Sequence, residues 1–364
     1  MRYAKSLSIL VILALCPALV FAGNPPSRFS VLPPISSGNL TIYPVTSTVT
    51  HNTSAFLTLD EGIRNGSVIV TEAGQAAGLI RRPGQRPIHN SGGEVNRLVL
   101  INNSDRPLLL LAGEIVTGGK QDRVIGSDRI VPPNSDPVDL SVFCVEPGRW
   151  VERTSKFGYM GSQMAQPSIR MPAMADKSQT AVWDNVRSSQ RNAAKAAPSA
   201  APIIAGTTSY AGVMQNEEVQ RKVRTVAAPI ERDYGKLIRE LKQQNAIRVV
   251  VAVNGQIVWA DLFASSELLE DYWPKLIRSY AAEAVTGLPY KGTTNQLLAQ
   301  QFIDSLGGER EVVETDPGIY RRSEVTGRGY KVFVITSLLP KTDFTLHVAK
   351  MSEQRSNYVV PVIE

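Results

Sequence analysis

The side chains best suited to chemistry are concentrated in the segment LLLLAGEIVTGGKQDRVIGSDRI, residues 108–130. An apolar run meets a carboxylate at Glu114, and a glycine pair then precedes Lys120, Asp122 and Arg123. Acidic and basic groups beside a glycine turn could bind a phosphate, support acid–base chemistry, or simply reverse the chain. The spacing of these residues narrows the choice.

The spacing excludes a phosphate-binding loop of the Walker A kind. That motif needs a glycine, four residues, then Gly-Lys and a hydroxyl residue that opens a helix. Here five residues separate Gly113 from Gly119, and Gln121 stands where Ser or Thr would hold a metal. The residues that follow are strand-like, so no helix N-terminus is expected to face a phosphate.

Two interpretations of the glycine pair remain open. Backbone N–H groups around Gly118 and Gly119 could form a concave anion-binding nest, with Lys120 and Arg123 supplying positive charge. The alternative is an ordinary glycine turn that carries a solvated cluster of charged side chains.

Glu114 is expected on the core-facing side of a strand. Strand alternation gives it the same face as Leu108, Leu110, Ala112 and Val116. A buried carboxylate is costly unless it is paired. We therefore predict either a bulge at Gly113 that turns Glu114 outward or a contact with Lys120 and Arg123 across the glycine pair. A raised pKa with a catalytic role is the alternative to this structural pairing.

A second basic stretch follows the next predicted strand. In EPGRWVERTSKFG, Arg149 lies beside Trp150, an arrangement that suits a planar or phosphorylated anion. The alternative is a solvated loop anchored by one tryptophan. If the stretch and the glycine loop share one end of a sheet, Glu114, Lys120, Asp122 and Arg123 would join it in a single candidate ligand site.

Four of the seven methionines fall within a short stretch of the chain, at Met160, Met164, Met171 and Met174. Thioethers at these spacings could bind Cu(I), a soft ion. No Cys or His joins the cluster, so an adaptable apolar segment that covers the core is the favoured interpretation.

The remaining potential ligands favour neither a metal nor a cofactor. The three histidines, His51, His89 and His347, have no metal-ligand spacing with one another or with a cysteine. Cys144 alternates with apolar residues of a strand and is predicted to lie in the core. We therefore expect no cofactor.

The first residues predict export. Arg2 and Lys5 precede an apolar stretch over residues 7–19, and small residues end at Ala22. This pattern is typical of a signal peptide cleaved after Ala22, and the stretch is shorter than the roughly 20 residues that span a membrane. We expect a secreted or periplasmic protein with no stable membrane anchor after cleavage. The formal charge of +6 is scattered, so it does not indicate nucleic-acid binding.

Local patterns predict several elements. The stretch over residues 97–116 suggests two buried strands, and residues 157–212 suggest a long loop, a short helix capped by Ser178 and an Ala/Pro-rich connector. A helix is predicted from Pro229, and Asn254-Gly255 predicts a two-residue hairpin turn.

Strands and helices are segregated along the chain, which predicts an α+β fold of mainly antiparallel sheets. We expect one large domain or two closely packed subdomains. The predicted segments are a signal peptide over 1–22, a β-rich part over 23–156, a loop, helix and Ala/Pro-rich connector over 157–228, and an α+β part over 229–364. A helix ending at Gly287 is expected to kink or split at Pro274.

Three stretches resemble a known family. They are LLLLAGEIVTGGKQDRVIGSDRIVPPNSDPVDLSVFCVEPGRW, SQTAVWDNV and VVVAVNGQIVWADLFASSELLEDYWPKLIRSYAAEA. Together they resemble the ARG and rhodanese-phosphatase-superfamily-associated protein domain, from about Asn39 to the C-terminus. The family accompanies ADP-ribosylglycohydrolases and phosphatases, so the resemblance implies a link to ADP-ribosyl or phosphoryl chemistry.

No nucleophile–base pair, metal triad or cofactor fingerprint is evident, which favours an exported binding or interaction module. Its expected partner is an anionic small molecule or another protein. The alternative is a hydrolase of phosphorylated or ADP-ribosylated material that uses Glu114, Asp122 and the neighbouring basic residues.

Overall fold

The computed structural model describes residues 28–73, 97–148, 154, 156–242, 246–287 and 292–353. The predicted signal peptide, Arg149 and Trp150 lie outside the described residues. No described helix combines the length and the apolar character needed to cross a membrane.

The largest element is an antiparallel sheet built from both ends of the described chain. Its nine described strands are β1 (Phe29–Val31), β2 (Ile35–Ser37), β3 (Leu40–Ser47), β13 (Ala246–Val253), β14 (Gln256–Phe263), β15 (Glu309–Asp316), β16 (Tyr320–Gly327), β17 (Tyr330–Ser337) and β18 (Thr345–Ser352). The strand order is β1-β3-β13-β14-β18-β17-β16-β15, with β2 paired to β3. The early strands therefore complete a sheet that is otherwise made by the last third of the chain.

A closed barrel forms from the middle of the chain. Its strands are β5 (Val68–Glu72), β6 (Arg97–Asn102), β8 (Glu114–Thr117), β9 (Arg123–Ile125), β11 (Val138–Cys144) and β12 (Lys156–Met164), in the order β11-β6-β5-β12-β8-β9. A small sheet beside it contains β4 (Leu57–Thr58), β7 (Leu108–Leu110) and β10 (Arg129–Val131). Leu57, Val70, Leu100 and Val116 belong to one apolar cluster shared by the barrel and this sheet.

The strand predicted to run into Glu114 is in fact two strands in different sheets. β7 ends at Leu110, and β8 begins at Glu114. Between them a turn passes through Gly113, whose φ of +96° favours glycine. The turn redirects the chain, but it does not carry Glu114 to the surface, because that residue is only 2% exposed.

The helices pack against one another and against both sheet systems. They are α1 (Leu59–Arg64), α2 (Pro167–Met171), α3 (Gln179–Ala196), α4 (Ala201–Ala205), α5 (Tyr210–Gln215), α6 (Glu217–Leu241), α7 (Ser266–Thr286) and α8 (Gln296–Asp304). A π-helical turn over Pro172–Asp176 follows α2 directly. Helix α7 contacts both β12 of the barrel and β13 of the large sheet, so it joins the two sheet systems.

The hairpin and capping predictions are confirmed. β13 and β14 pair around Asn254 and Gly255, whose φ values of 53° and 75° are those a two-residue primed turn requires. The Ser178 side chain accepts a hydrogen bond from the Ala181 N–H group and caps α3. These short-range signals need no information from the rest of the fold.

Three predictions for the middle of the chain are wrong. The long loop is replaced by β12, α2 and the π-helical turn, and the Ala/Pro-rich connector is packed, with Ala197 and Ile204 buried. Pro229 lies inside α6 and not at its start. A buried stripe continues across it from Val223 to Ile230, and this burial offsets the missing hydrogen bond.

The α+β prediction is confirmed, with antiparallel pairing throughout except between β4 and β7. The closed barrel was not predicted. α7 runs through Pro274 as one helix, so the expected split is absent there. The boundaries proposed at residues 156 and 228 remain predictions.

Candidate functional site

Glu114 is paired, but its partner comes from a distant helix. Lys275 of α7 places Nζ 2.7 Å from Glu114 Oε1, and the Leu111 N–H group donates to Oε2 at 2.8 Å. The prediction that Lys120 and Arg123 supply the pairing cations is therefore corrected. The turn at Gly113 points the carboxylate towards α7 and not along the glycine loop.

Lys275 bridges two carboxylates. Its Nζ atom also lies 2.8 Å from Asp60 Oδ2, and its side chain is 5% exposed. Burial would lower the pKa of Lys275, but Glu114 and Asp60 outweigh it and raise that pKa, so the ammonium stays charged. Burial raises the pKa of Glu114, and Lys275 opposes the rise.

The backbone N–H groups of the glycine loop donate to acceptors of the protein itself. Gly118 and Gly119 have φ values of +135° and +48°. The Gly118 N–H group donates to Asp122 Oδ1 at 3.0 Å, and the Lys120 N–H group donates to Glu72 Oε1 at 2.9 Å. Lys120 Nζ lies 3.8 Å from Glu72. These amides are engaged by internal anions, which favours the structural interpretation of the loop.

Asp122 and Arg123 are buried parts of the same loop. Ser209 Oγ donates to Asp122 Oδ2 at 3.1 Å, and the Asp122 N–H group donates to Glu146 Oε2 at 3.2 Å. The Arg123 guanidinium donates to the Asp122 carbonyl oxygen at 3.4 Å. Asp122 thus meets α5 and its preceding turn, whereas Glu114 meets α7, and the two carboxylates do not converge on one ligand.

The sulfur-containing side chains pack into the core. Met160, Met164 and Met174 belong to the main apolar cluster, and Met171 packs against it. This placement fits the interpretation as an apolar covering segment. Cys144 is buried as predicted, and burial raises the pKa of its thiol. No group of three or more His, Cys, Asp or Glu side chains within the described part of the chain is arranged to hold a metal ion.

A buried charge network, which was not predicted from the sequence, joins α2, the large sheet and the turn before β10. Arg170 forms a two-pronged contact with Asp261, at 3.1 and 3.2 Å. His347 bridges two carboxylates, with Nδ1 2.7 Å from Asp128 Oδ2 and Nε2 3.0 Å from Asp261 Oδ1. The Tyr280 hydroxyl also donates to Asp261. The signal was a charged residue inside each of the apolar stretches VWADLF and TLHVAK.

The network holds Arg170, Asp261 and His347 in charged forms. Burial alone would lower the pKa of His347, but Asp128 and Asp261 raise it to about 9. Burial would raise the pKa of Asp261, but Arg170 and His347 hold it well below its ordinary range. All five side chains are buried, and the Asp128 carboxylate also accepts from the Ala112 N–H group at 2.8 Å. The arrangement suits a structural core and not a reacting group.

A cavity of about 260 Å³ lies where β12 meets α5, α6 and α7. We call it the arginine cavity, and its lining residues are Met160, Gly161, Gln163, Met214, Gln215, Gln220, Val223, Arg224 and Arg278. Among them the charged groups are two guanidiniums, and no carboxylate belongs to this described lining.

One hydrogen-bond donor in the arginine cavity is unused. The Nε2 atom of Gln163 is buried and has no hydrogen-bond partner among the described residues. Arg224 is held in place on the helix surface, because its guanidinium donates to Gln220 Oε1 at 2.9 Å. A buried donor without an acceptor is costly, and because this atom has almost no exposed surface, a ligand oxygen could satisfy it only after the Gln163 side chain turned towards the cavity.

A second cavity of about 440 Å³ lies on the other side of the β12 bulge. We call it the Lys275 cavity, and its lining residues are Thr58, Asp60, Glu61, Arg64, Tyr159, Gly161, Asp271, Pro274 and Lys275. Burial and the nearby carboxylates of Glu267 and Glu61 raise the pKa of Asp271 to about 6. The two cavities are neighbours, because Gly161 lines both of them.

Comparison with known proteins identifies the family of this chain. No curated protein and no solved structure matches the chain. A family model matches residues 28–349, which include the barrel, the helices and nearly all of the large sheet. The chain belongs to the ARG and Rhodanese-Phosphatase-superfamily-associated Protein domain family.

Proposed function

We propose that the protein is a binding module whose arginine cavity takes a small anionic ligand. The observation that carries the proposal is the charged lining of this cavity, which consists of the guanidiniums of Arg224 and Arg278. Guanidinium and amide groups together suit a carboxylate or phosphate oxygen. This moves the anion site away from the glycine loop, where the backbone amides already serve Asp122 and Glu72.

The remaining lining suggests a short apolar portion beside the anionic group. Met160, Met214 and Val223 line the same cavity, and methionine adapts to ligands of different shape. The cavity of about 260 Å³ lies just below the range of small-molecule sites, which run from roughly 300 to 1,000 Å³. A small alkyl carboxylate or phosphate ester fits these properties.

The hydrolase alternative lacks comparable support. Glu114 is paired with Lys275, and Asp122 contacts Ser209, so the two carboxylates have separate surroundings. General acid–base catalysis requires both groups within reach of one substrate.

The proposal is tested by calorimetric titration with hexanoate and with inorganic phosphate. Arg224→Gln should weaken binding by roughly 10- to 100-fold, the range for loss of a charge-assisted hydrogen bond. Gln163→Leu should weaken binding while leaving the fold equally or more stable, because it removes an unpaired donor. Arg232→Gln is the matched control, since Arg232 lies on the same helix with a side chain 76% exposed.

If neither anion binds the wild-type protein, or if Arg232→Gln weakens binding as much as Arg224→Gln, the arginine cavity is not an anion site.

We also propose that the chain is exported. Arg2, Lys5 and the apolar stretch over residues 7–19 support this proposal, together with the small residues that end at Ala22.

A further inference from the structure

The two cavities lie along one face of α7. Asp271, Pro274 and Lys275 line the Lys275 cavity, and Arg278 lines the arginine cavity. Spacings of three and four residues place side chains on the same side of a helix, about one turn apart. The acidic and basic linings are therefore consecutive along α7 and not on opposite sides of it.

β12 forms the wall that faces α7, and consecutive residues of this strand line different cavities. Tyr159 lines the Lys275 cavity, Met160 lines the arginine cavity, and Gly161 lines both. The pairing of β12 with β8 is irregular between Tyr159 and Met164, so the strand bulges at this point. The two cavities therefore meet at this bulge, where Gly161 has no side chain to separate them.

The space beside Gly161 is open. Its φ is +57°, and a Cβ atom added there would meet no other atom within 4 Å. A ligand chain could pass this residue without displacing a neighbouring group of the described structure. Gly161 is exposed and lines both cavities, so the cavities meet at the surface beside it.

The Lys275 cavity is lined by three carboxylates, Asp60, Glu61 and Asp271, and by two cations, Arg64 and Lys275. In the Lys275 cavity, Asp60 already pairs with Lys275, and Glu61 pairs with Arg106 at 2.6 Å. Asp271 lies in the same lining and close to Glu61 and Glu267, whose negative charges act on its carboxyl group. A ligand cation near Asp271 would relieve this like-charge repulsion.

We propose that the natural ligand is dipolar, with an anionic group in the arginine cavity and an amine that passes Gly161 into the Lys275 cavity beside Asp271. This inference rests on the proposed anion site and names the class of ligand that it takes. The two cavities, of about 260 and 440 Å³, together suit a ligand longer than a simple anion. The protein should distinguish this ligand from an amine-free acid of the same length, because only the amine can interact with Asp271.

The test compares matched acids with and without an amine. Calorimetric titrations would use γ-aminobutyrate, 6-aminohexanoate and 8-aminooctanoate against butyrate, hexanoate and octanoate. At least one amino acid of the series should bind on the order of tenfold more tightly than its amine-free partner, with an optimum length set by the distance between the cavities.

Two variants locate the amine. Asp271→Asn should reduce binding of the best amino acid to the level of the amine-free acid, and leave binding of the amine-free acid unchanged. Gly161→Asn should reduce the difference in affinity between the amino acid and the amine-free acid, because its side chain would lie where the two cavities meet; asparagine tolerates positive φ, and its Cβ atom meets open space. Glu240→Gln is the control, because Glu240 is an exposed acid paired with Lys236 on α6.

The outcomes separate the two proposals. If the amine-free acids bind and the amino acids bind no more tightly, the dipolar ligand is wrong and the anion site stands. The dipolar ligand is equally wrong if the amine improves binding but Asp271→Asn and Gly161→Asn leave that improvement intact. If no member of either series binds, both proposals fail.

Discussion

Lys275 Nζ lies 2.7 Å from Glu114 Oε1, although the two residues are 161 positions apart in the chain. The pair joins α7 to the first residue of β8 and is almost completely buried, with side-chain exposures of 5% and 2%. It connects the barrel to the helix that packs on the large sheet. A charge at either position is therefore stable because the other is present.

Removing one member of this pair should destabilise the fold. Lys275→Met leaves Glu114 and Asp60 without their shared cation, and loss of one partner of a buried ion pair costs about 3–5 kcal/mol. Adding Glu114→Gln should recover part of that loss, because the remaining amide needs no counter-charge. Urea denaturation of the two variants and of the double variant measures the free energies of unfolding.

Lys236→Met serves as the control for this experiment. Lys236 pairs with Glu240 at 3.7 Å, but both side chains are more than half exposed. The expected change is within about 0.5 kcal/mol. Equal losses for the Lys275 and Lys236 variants would contradict a structural role for the buried pair.

Lys120 should contribute little to stability. Its Nζ atom lies 3.8 Å from Glu72, and its side chain is 41% exposed. Lys120→Ala should change the free energy of unfolding by no more than about 1 kcal/mol, because solvent screens such a pair and the backbone N–H contact to Glu72 survives. If Lys120→Ala lowered the free energy of unfolding nearly as much as Lys275→Met under the same conditions, Lys120 would be a main contributor to the stability of the loop.

Gly113 should not tolerate a side chain. Its φ of +96° disfavours other residues, and an added Cβ atom would lie 2.6 Å from Arg170 Cγ, where Arg170 is fully buried against Asp261. Gly113→Ala therefore disturbs both the turn and the charge network. We expect a loss of several kcal/mol, on the scale of overpacking plus backbone strain, roughly 2–5 kcal/mol.

Gly66→Ala separates the two causes. Gly66 also has positive φ, at +73°, but an added Cβ atom there meets nothing within 4 Å. Its cost should be the backbone strain alone, about 1–2 kcal/mol. Thermal melts of both variants give the comparison, and a Gly113 variant no less stable than the Gly66 variant would argue against the contact with Arg170.

The export proposal makes a mass prediction. If cleavage follows Ala22, protein recovered from outside the cytoplasm should begin at Gly23. Intact-mass measurement of the expressed full-length chain checks this. Replacing residues in the apolar stretch, for example Leu13→Arg, should retain the precursor, because a charge there interrupts the signal core. Recovery of the unprocessed chain in the membrane fraction from the natural sequence would refute cleavage at this site.

The sequence predicted what depends on neighbours along the chain. Asn254-Gly255 fixes a hairpin through its own dihedral preferences, and Ser178 caps a helix through an N–H group three residues away. β12 was missed because its sequence, KFGYMGSQM, has little strand propensity and is stabilised by pairing with β5 and β8. Pairing with other strands therefore stabilises β12 although its local strand propensity is low.

The candidate site was predicted poorly for a similar reason. Sequence reasoning identified Glu114 as a buried carboxylate, which is correct, but sought its partner nearby. The actual partner, Lys275, occupies a helix position that sequence distance cannot indicate. Gln163 and Arg224 belong to no recognisable sequence motif. They became candidates only because β12 and α6 place them in one cavity.

His347 should make stability depend on pH. Asp128 and Asp261 raise the folded-state pKa to about 9 against the effect of burial, compared with an ordinary value of 6.5. The native protein therefore keeps a proton that the unfolded chain releases between these values. The stabilisation is fully present below pH 6.5 and is lost as pH rises through about 9.

Lys350 makes the free energy of unfolding change with pH in the opposite direction to His347. The experiment must therefore remove the titration of Lys350. Burial lowers its pKa to about 7, so above that pH the unfolded chain holds a proton that the native protein lacks, and stability rises with pH. The measurement is the free energy of unfolding at pH 6.5 and 9.5 for Lys350→Met and for Lys350→Met with His347→Gln. The first variant should lose stability over this range, and the second should lose much less. If the double variant is too unstable to measure, Asp128→Asn in the Lys350→Met background should reduce the slope by lowering the pKa of His347. Equal slopes with and without these changes would show that His347 is not the titrating group.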